Sequence, residues 1–266
     1  MFKGLNTATS GMIAQQRRQD ALSHNLANMN TPGFKKDQAM LRSFPEMLTH
    51  RIENGQQGLP GAPRQASQIG SLATGVYAQE HIPLFDTGDI IETEKPHDFA
   101  IADYALAPNQ IDGRAVKPAI FFAVQTRAGE LEYTRNGNFT VDALGQLVTS
   151  DGSRVLDTQG NPLFIGEDGR VQATELGLVR IENPHDLIRS GSDRYRYEGD
   201  NPPGLLPPGV ADGFSVRNGF IERANVDPGQ TITDMMVTMR AYESNQKVIQ
   251  SYDRTMELLN SIGRLG

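Results

Sequence analysis

Leu5, Ala8, Met12, Gln15, Gln19, Leu22, Leu26 and Met29 follow one another at alternating steps of three and four, and six of the eight are apolar. On a helix of roughly seven turns this spacing draws one narrow stripe, suited to a second helix rather than to a broad core. The end of the helix is legible too. Asn28 and Asn30 tolerate left-handed backbone, Pro32 pushes Thr31 out of helical space and Gly33 turns the chain, so the helix is predicted to stop near Met29. The same spacing returns at the far end, in Met235, Thr238, Tyr242, Asn245, Ile249, Tyr252, Met256 and Leu259, again with six of eight apolar or aromatic. Thr231 with Asp234 offers a capping-box start for this helix, Asp227-Pro228 offers another just upstream, and Gly263 and Gly266 let its end fray. Matched seams at both ends imply a chain that holds itself, or its neighbours, by its termini; the pattern leaves self-pairing and polymerisation both open.

Between the helices the period changes. Residues Ser43 to Gln79 loosen into ENGQQGLPGAPRQASQIGSLATG, and 35–79 reads as a linker or extended segment that separates two modules or becomes ordered against a partner. Beyond it, short apolar or β-branched runs such as FFAVQT, ELEYT, FTV, QLVTS and LFI alternate with turn residues, which predicts an all-β module over 80–226. Asn136-Gly137 is its strongest hairpin signal, because both residues tolerate positive φ. DGSR at 151–154 and EDGR at 167–170 read as further tips, and the four prolines of 190–209 as a surface loop. The expected fold class is α+β in several parts: a helix and turn over 1–34, the 35–79 segment, the mainly-β module, and a coiled-coil-like helix over 227–266.

Composition then narrows the function. With 25 basic and 32 acidic residues the formal charge is −7, which argues against a nucleic-acid surface and leaves no polybasic segment for a membrane. No apolar run approaches the length of a membrane span, and the N-terminus lacks the apolar core and cleavage site of a secretory signal, so departure from the cytoplasm needs another route. There is no cysteine for disulfides or thiolate metal sites, and the five histidines fall in no zinc-binding spacing. Asp151-Gly152 and Asp168-Gly169 do not continue into a calcium loop, and no phosphate loop, dinucleotide fingerprint or nucleophile elbow occurs. No catalytic, cofactor-binding or metal-binding residue is therefore expected.

Taken together, the motifs resemble a family. Ser10-Gly11-Met12, Asn25-Leu26-Ala27-Asn28 and Thr31-Pro32-Gly33-Phe34-Lys35 are similar to the N-terminal signature of the bacterial flagellar rod and hook proteins. Asn225-Val226-Asp227, Arg240-Ala241-Tyr242-Glu243 and Lys247-Val248-Ile249 resemble its closing helix, and Asp98-Phe99-Ala100-Ile101 with Tyr133 to Phe139 its β-module. Where the family has a short link before Phe121-Phe122, this chain carries ADYALAPNQIDGRAVKPAI, an insertion over 102–120. The resemblance implies a structural subunit of the flagellar basal-body rod, with no enzymatic activity and no cofactor. It would polymerise through its terminal helices into the shaft between motor and hook. Its implied partners are copies of itself, other rod and hook axial proteins and the flagellar export apparatus, with no nucleic acid and no direct membrane insertion. Export without a cleavable signal peptide would place it outside the cytoplasmic membrane.

The expected assembly interface comprises Leu5, Met12, Leu22, Asn25, Leu26, Asn28 and Met29 on the first helix. On the last helix it comprises Met235, Arg240, Tyr242, Ile249, Tyr252, Met256 and Leu259, with contacts sought among Leu22, Leu26, Ile249 and Tyr252. Thr31, Pro32, Gly33 and Phe34 form the expected exit turn, anchored by Phe34. From another class, the β-rich middle also admits a cell-wall-associated glycan-binding or peptidoglycan-active module, against which the absence of tryptophan as a sugar platform weighs.

Overall fold

The computed structural model describes residues 2–44, 47–52, 66–72, 75–104, 106–111, 113–166, 171–199, 202–207 and 213–263. Two helices, α1 (Phe2–Ala27) and α2 (Pro228–Gly263), bracket a mainly-β middle, as the periodicities predict. Of the two starts open to α2, the upstream one is used. Asp227 caps the helix by accepting from Gln230 N at 3.1 Å, while Thr231 lies inside the first turn with its hydroxyl on Asp227 O at 2.7 Å.

The chain forms two compact units. The first takes Met1–Ser23, Gln38–Ile82 and Ile232–Gly266. In it α1 and α2 run antiparallel: a Cβ on Gly4 would stand 2.1 Å from Tyr252 Oη, and one on Gly11 would stand 3.0 Å from Asn245 Nδ2. Small residues make that approach possible, since Ala8, Ala14 and Ala21 are the buried positions of this part of α1. The antiparallel register corrects the expected cluster of Leu22, Leu26, Ile249 and Tyr252. Tyr252 sits beside Gly4, and Leu22 lies about 27 Å further along α1 at 1.5 Å per residue.

The described residues of the 35–79 segment are extended and paired. They carry β1 (Asp37–Ser43), β2 (Met47–Ile52), β3 (Ala66–Leu72) and β4 (Val76–Pro83), with β1 paired to β4 and β2 antiparallel to β3. Arg17 Nη1 donates to Ala78 O at 2.8 Å and Val76 N to Ser10 Oγ at 3.4 Å, so the ribbon leans on α1. Such strand pairs leave little trace in the apolar pattern, because a two-stranded ribbon is held by backbone pairing and needs no continuous apolar face of its own.

The second unit takes His24–Asp37 and Pro83–Thr231. Its strands are β5 (Ile90–Glu92), β6 (Phe99–Asp103), β7 (Asn109–Ile111), β8 (Arg114–Val116), β9 (Ala119–Gln125), β10 (Leu131–Thr134), β11 (Thr140–Val141), β12 (Leu147–Val148), β13 (Arg154–Val155), β14 (Leu178–Ile181), β15 (Leu187–Arg189), β16 (Arg194–Tyr197), β17 (Phe214–Asn218) and β18 (Phe220–Glu222). An eight-stranded sheet runs β11-β12-β13-β9-β10-β16-β15, with β14 also on β9, while β17 pairs β6 and β18 pairs β5. The apolar run of β9 serves two cores. Ile120, Phe122 and Val124 face Phe99, Phe139 and Leu147 on one side, and Phe121 and Ala123 face Tyr133, Val179 and Tyr195 on the other.

Two local expectations change here. Asn136-Gly137 is not a hairpin tip: β10 pairs β9 and β16, and neither turn residue has positive φ. Instead the dipeptide crosses the interior, where Phe99 N donates to Gly137 O at 2.9 Å and a Cβ on Gly137 would stand 1.6 Å from Phe99 O. Within 190–209, β16 is an internal strand and Tyr195 is fully buried; the alternation of DRYRY was masked by flanking Gly and Pro. Within the 102–120 insertion β7 pairs antiparallel with β8, and Asn109 Nδ2 donates to Glu182 Oε2. DGSR does close the β12–β13 hairpin, with Gly152 at φ 83, whereas EDGR lies outside the described residues.

Candidate functional site

The exit turn lies wholly in the second unit. Asn28 O accepts from Thr31 N at 3.0 Å, Thr31 O accepts from Phe34 N, and Gly33 adopts φ 69. Glycine is required there twice over, because a Cβ would also stand 2.3 Å from the backbone carbon of Arg135. Phe34 is fully buried, edge-on to His24 at 5.4 Å and 4.8 Å beneath the guanidinium of Arg189. That guanidinium also donates to Lys35 O and to Asp37 Oδ1, both at 2.7 Å. Asn25 closes the other side, its amide donating to Asp37 O and its carbonyl accepting from Asp37 N, each at 2.8 Å. The last turn of α1 is thus clamped to the first residue of β1.

Beneath the turn is a buried charge cluster. Lys35 Nζ reaches Glu222 Oε1 at 2.6 Å, Arg135 Nε reaches Glu222 Oε2 at 2.9 Å and Arg135 Nη2 reaches Asp103 Oδ2 at 3.0 Å, all on side chains at most 3% exposed. Burial opposes the charges of Lys35, Arg135 and Glu222, and the balance differs by residue. Burial, then the repulsion of Arg135, brings the Lys35 ammonium down to about 8, because Lys35 shares Glu222 with a second cation. Glu222, between two cations, has the opposite balance: burial pushes its carboxyl up, but Arg135 and Lys35 outweigh it and hold it below the usual carboxylate range. Arg135 is likewise held above its ordinary value by Glu222 and Asp103 against its burial. Backbone groups complete the cluster, with Lys35 Nζ also donating to Asp86 O at 2.7 Å, Gly88 N to Glu222 Oε1 at 2.8 Å and Gly33 N to Glu222 O at 2.7 Å.

The seam residues fall into two sets. Leu5, Met12 and Leu22 on α1 and Met235, Tyr242, Ile249 and Tyr252 on α2 are half-buried in the first unit; Arg240, Met256 and Leu259 are exposed. Leu26, Asn28 and Met29 are half-buried in the second unit, and Asn25 is committed to Asp37. Sequence reading missed two groups. One is the cluster itself, whose only local signal is a lone arginine inside the apolar stretch Tyr133 to Phe139. The other is a second apolar stripe on α2, Ile232, Met236 and Met239, which is exposed at 42%, 58% and 56% and lies about 100° round the helix from the seam.

A polar cleft of about 530 Å³ opens beside the turn, lined by Asn28, Asn30, Thr31, Asn136, Asp151 and Asp193 among others. Its carboxylates are already engaged, Asp151 by Arg194 at 2.9 Å and Asp193 by Asn136 at 2.5 Å. Three family models match the chain. These are the flagella basal body rod protein over residues 5–35, the flagellar hook protein FlgE/F/G D1 domain over 115–184 and the flagellar basal body rod FlgEFG protein C-terminal over 217–262. Over 282 residues the chain is 38% identical to the flagellar hook-basal body complex protein FlhO of Bacillus subtilis, covering 100% of both. It is also 30% identical to the flagellar basal-body rod protein FlgF of Caulobacter vibrioides, covering 100% and 99%, and 29% identical to FlgG of B. subtilis, covering 99% and 100%.

The chain belongs to the flagellar basal-body rod and hook protein family.

Its three matched segments each supply one member of the buried cluster, Lys35 from the first, Arg135 from the second and Glu222 from the third. The full-length likeness to rod proteins leaves the cell-wall-active reading without support. The family is one of structural flagellar proteins, and no helix among the described residues is long and apolar enough to cross a membrane.

Proposed function

We infer that this rod-family protein is a structural subunit of the flagellar basal body, added to the axial shaft through its terminal helices and contacting copies of itself and other axial proteins. The observation that carries the reading is the stripe Ile232, Met236 and Met239. α1 already approaches the α2 seam at Tyr252 and Asn245, yet α2 keeps a second apolar face open to water, and a helix apolar on more than one face is suited to being surrounded. Stacking copies would bury that face at about 25 cal/mol per Å². Passage through the flagellar export apparatus, outward across the cytoplasmic membrane, is the route that a place in the axial shaft requires.

The test is the double variant Met236→Lys, Met239→Lys. Both side chains are more than half exposed, so the thermal midpoint of the dilute chain is expected to stay within a few degrees of wild type. Assembly, followed by sedimentation velocity and electron microscopy, is expected to be lost. Wild-type assembly in the double variant would overturn the reading.

A further inference from the structure

Glu222 is the hub of the buried cluster, and its partners come from remote parts of the chain. Lys35 is 187 residues away, Gly88 is 134 and Arg135 is 87. Three residues on, Asn225 repeats the pattern: its Oδ1 accepts from Lys36 N at 2.7 Å across 189 residues, its Nδ2 donates to Leu84 O at 2.8 Å, and its N donates to Phe34 O at 3.4 Å. The segment 222–225 is therefore joined at once to the exit turn and to the stretch 84–89, with Arg223 N on Asp89 O at 2.8 Å. Among the described residues, its strand β18 pairs only with the three-residue β5.

We propose that residues 222–225 form a completion latch, so that the exit turn locks only once the C-terminal strand has docked. Electrostatics argues for it. Without Glu222, burying Lys35 and Arg135 would leave two cations facing Asp103 alone, and an uncompensated charge in a site closed to water is strongly disfavoured. The docking of Lys35 and the arrival of Glu222 are then one event. Chain statistics agree, because the β9–β10 hairpin closes a short loop whereas the latch closes loops spanning most of the chain. Until that segment has docked, the protein thus holds a β-module whose central strands are paired but whose exit turn is unlocked, a property that does not depend on how the chain assembles.

Pulse-labelling hydrogen exchange during refolding of the full-length chain tests the order. The amides of Ala123, Leu147 and Leu156, bonded within the module, are expected to become protected first. Those of Gly33, Lys36, Gly88 and Arg223 should follow at a shared rate at least tenfold slower. In Glu222→Gln the second group is expected to exchange at least tenfold faster at equilibrium while the first keeps its protection. Protection of Gly33 and Lys36 together with or before Ala123 in the wild type would overturn the proposal, as would unchanged protection of the second group in Glu222→Gln. The wild-type order decides the matter even if the variant does not fold.

Discussion

Gly33 and Lys35, two residues apart, carry opposite kinds of constraint. Gly33 is a steric position: any Cβ meets both an unfavourable φ and the Arg135 backbone, neither of which can yield. Gly33→Ala is expected to lower stability by about 2–4 kcal/mol, read from the urea midpoint. Lys35 is an electrostatic position. Its ammonium titrates near 8 in the folded chain against 10.5 when exposed, so between those values the unfolded chain holds more protons. Stability must then rise with pH through that window, with a slope of at most about 1.4 kcal/mol per pH unit. Urea unfolding of wild type and Lys35→Met between pH 8 and 10 should show that rise in the wild type only.

At the scale of elements, the helix pair depends on small residues and close approach. Gly4 would ordinarily be a weak point, since alanine is favoured over glycine inside a helix by about 1 kcal/mol. Here the missing Cβ leaves room for Tyr252, which a Cβ would meet at 2.1 Å. Gly4→Ala is therefore expected to lower the thermal midpoint followed at 222 nm in the wild type. In a Tyr252→Ala background the same substitution should raise it, and this reversal of sign separates packing from propensity. The strand pairs β1–β4 and β2–β3 rest on a different balance, of backbone pairing together with bonds between β4 and α1.

For the whole molecule, the helical and β-rich units differ in how they are stabilised. The β-module has two continuous cores with aromatic contacts such as Phe85, Phe121 and Tyr195, whose rings lie 5.1–5.8 Å apart. The helical unit buries mainly alanines and leaves Met236, Val237, Met239, Leu258 and Ile262 more than half exposed. A helix so partnered is marginal in isolation and gains order from neighbours. Ellipticity at 222 nm is therefore expected to increase with protein concentration, in step with assembly measured by sedimentation. Helicity independent of concentration while assembly proceeds would separate the two.

Much of this organisation was readable from the chain alone. The heptad-like spacing of Leu5 to Met29 and of Met235 to Leu259, the Pro-Gly stop and the period-two runs were enough for two terminal helices around a β-rich middle. These are properties of neighbouring residues: side-chain periodicity and the φ/ψ limits of Pro and Gly act over a few bonds. Only the tertiary structure decided that Asn136-Gly137 is buried against Phe99, that Tyr195 is interior, that the described parts of 35–79 pair as strands, and that Lys35, Arg135 and Glu222 share one buried site. A charge acquires its partner, and a strand its depth, from segments up to 187 residues away, and no local pattern encodes that distance.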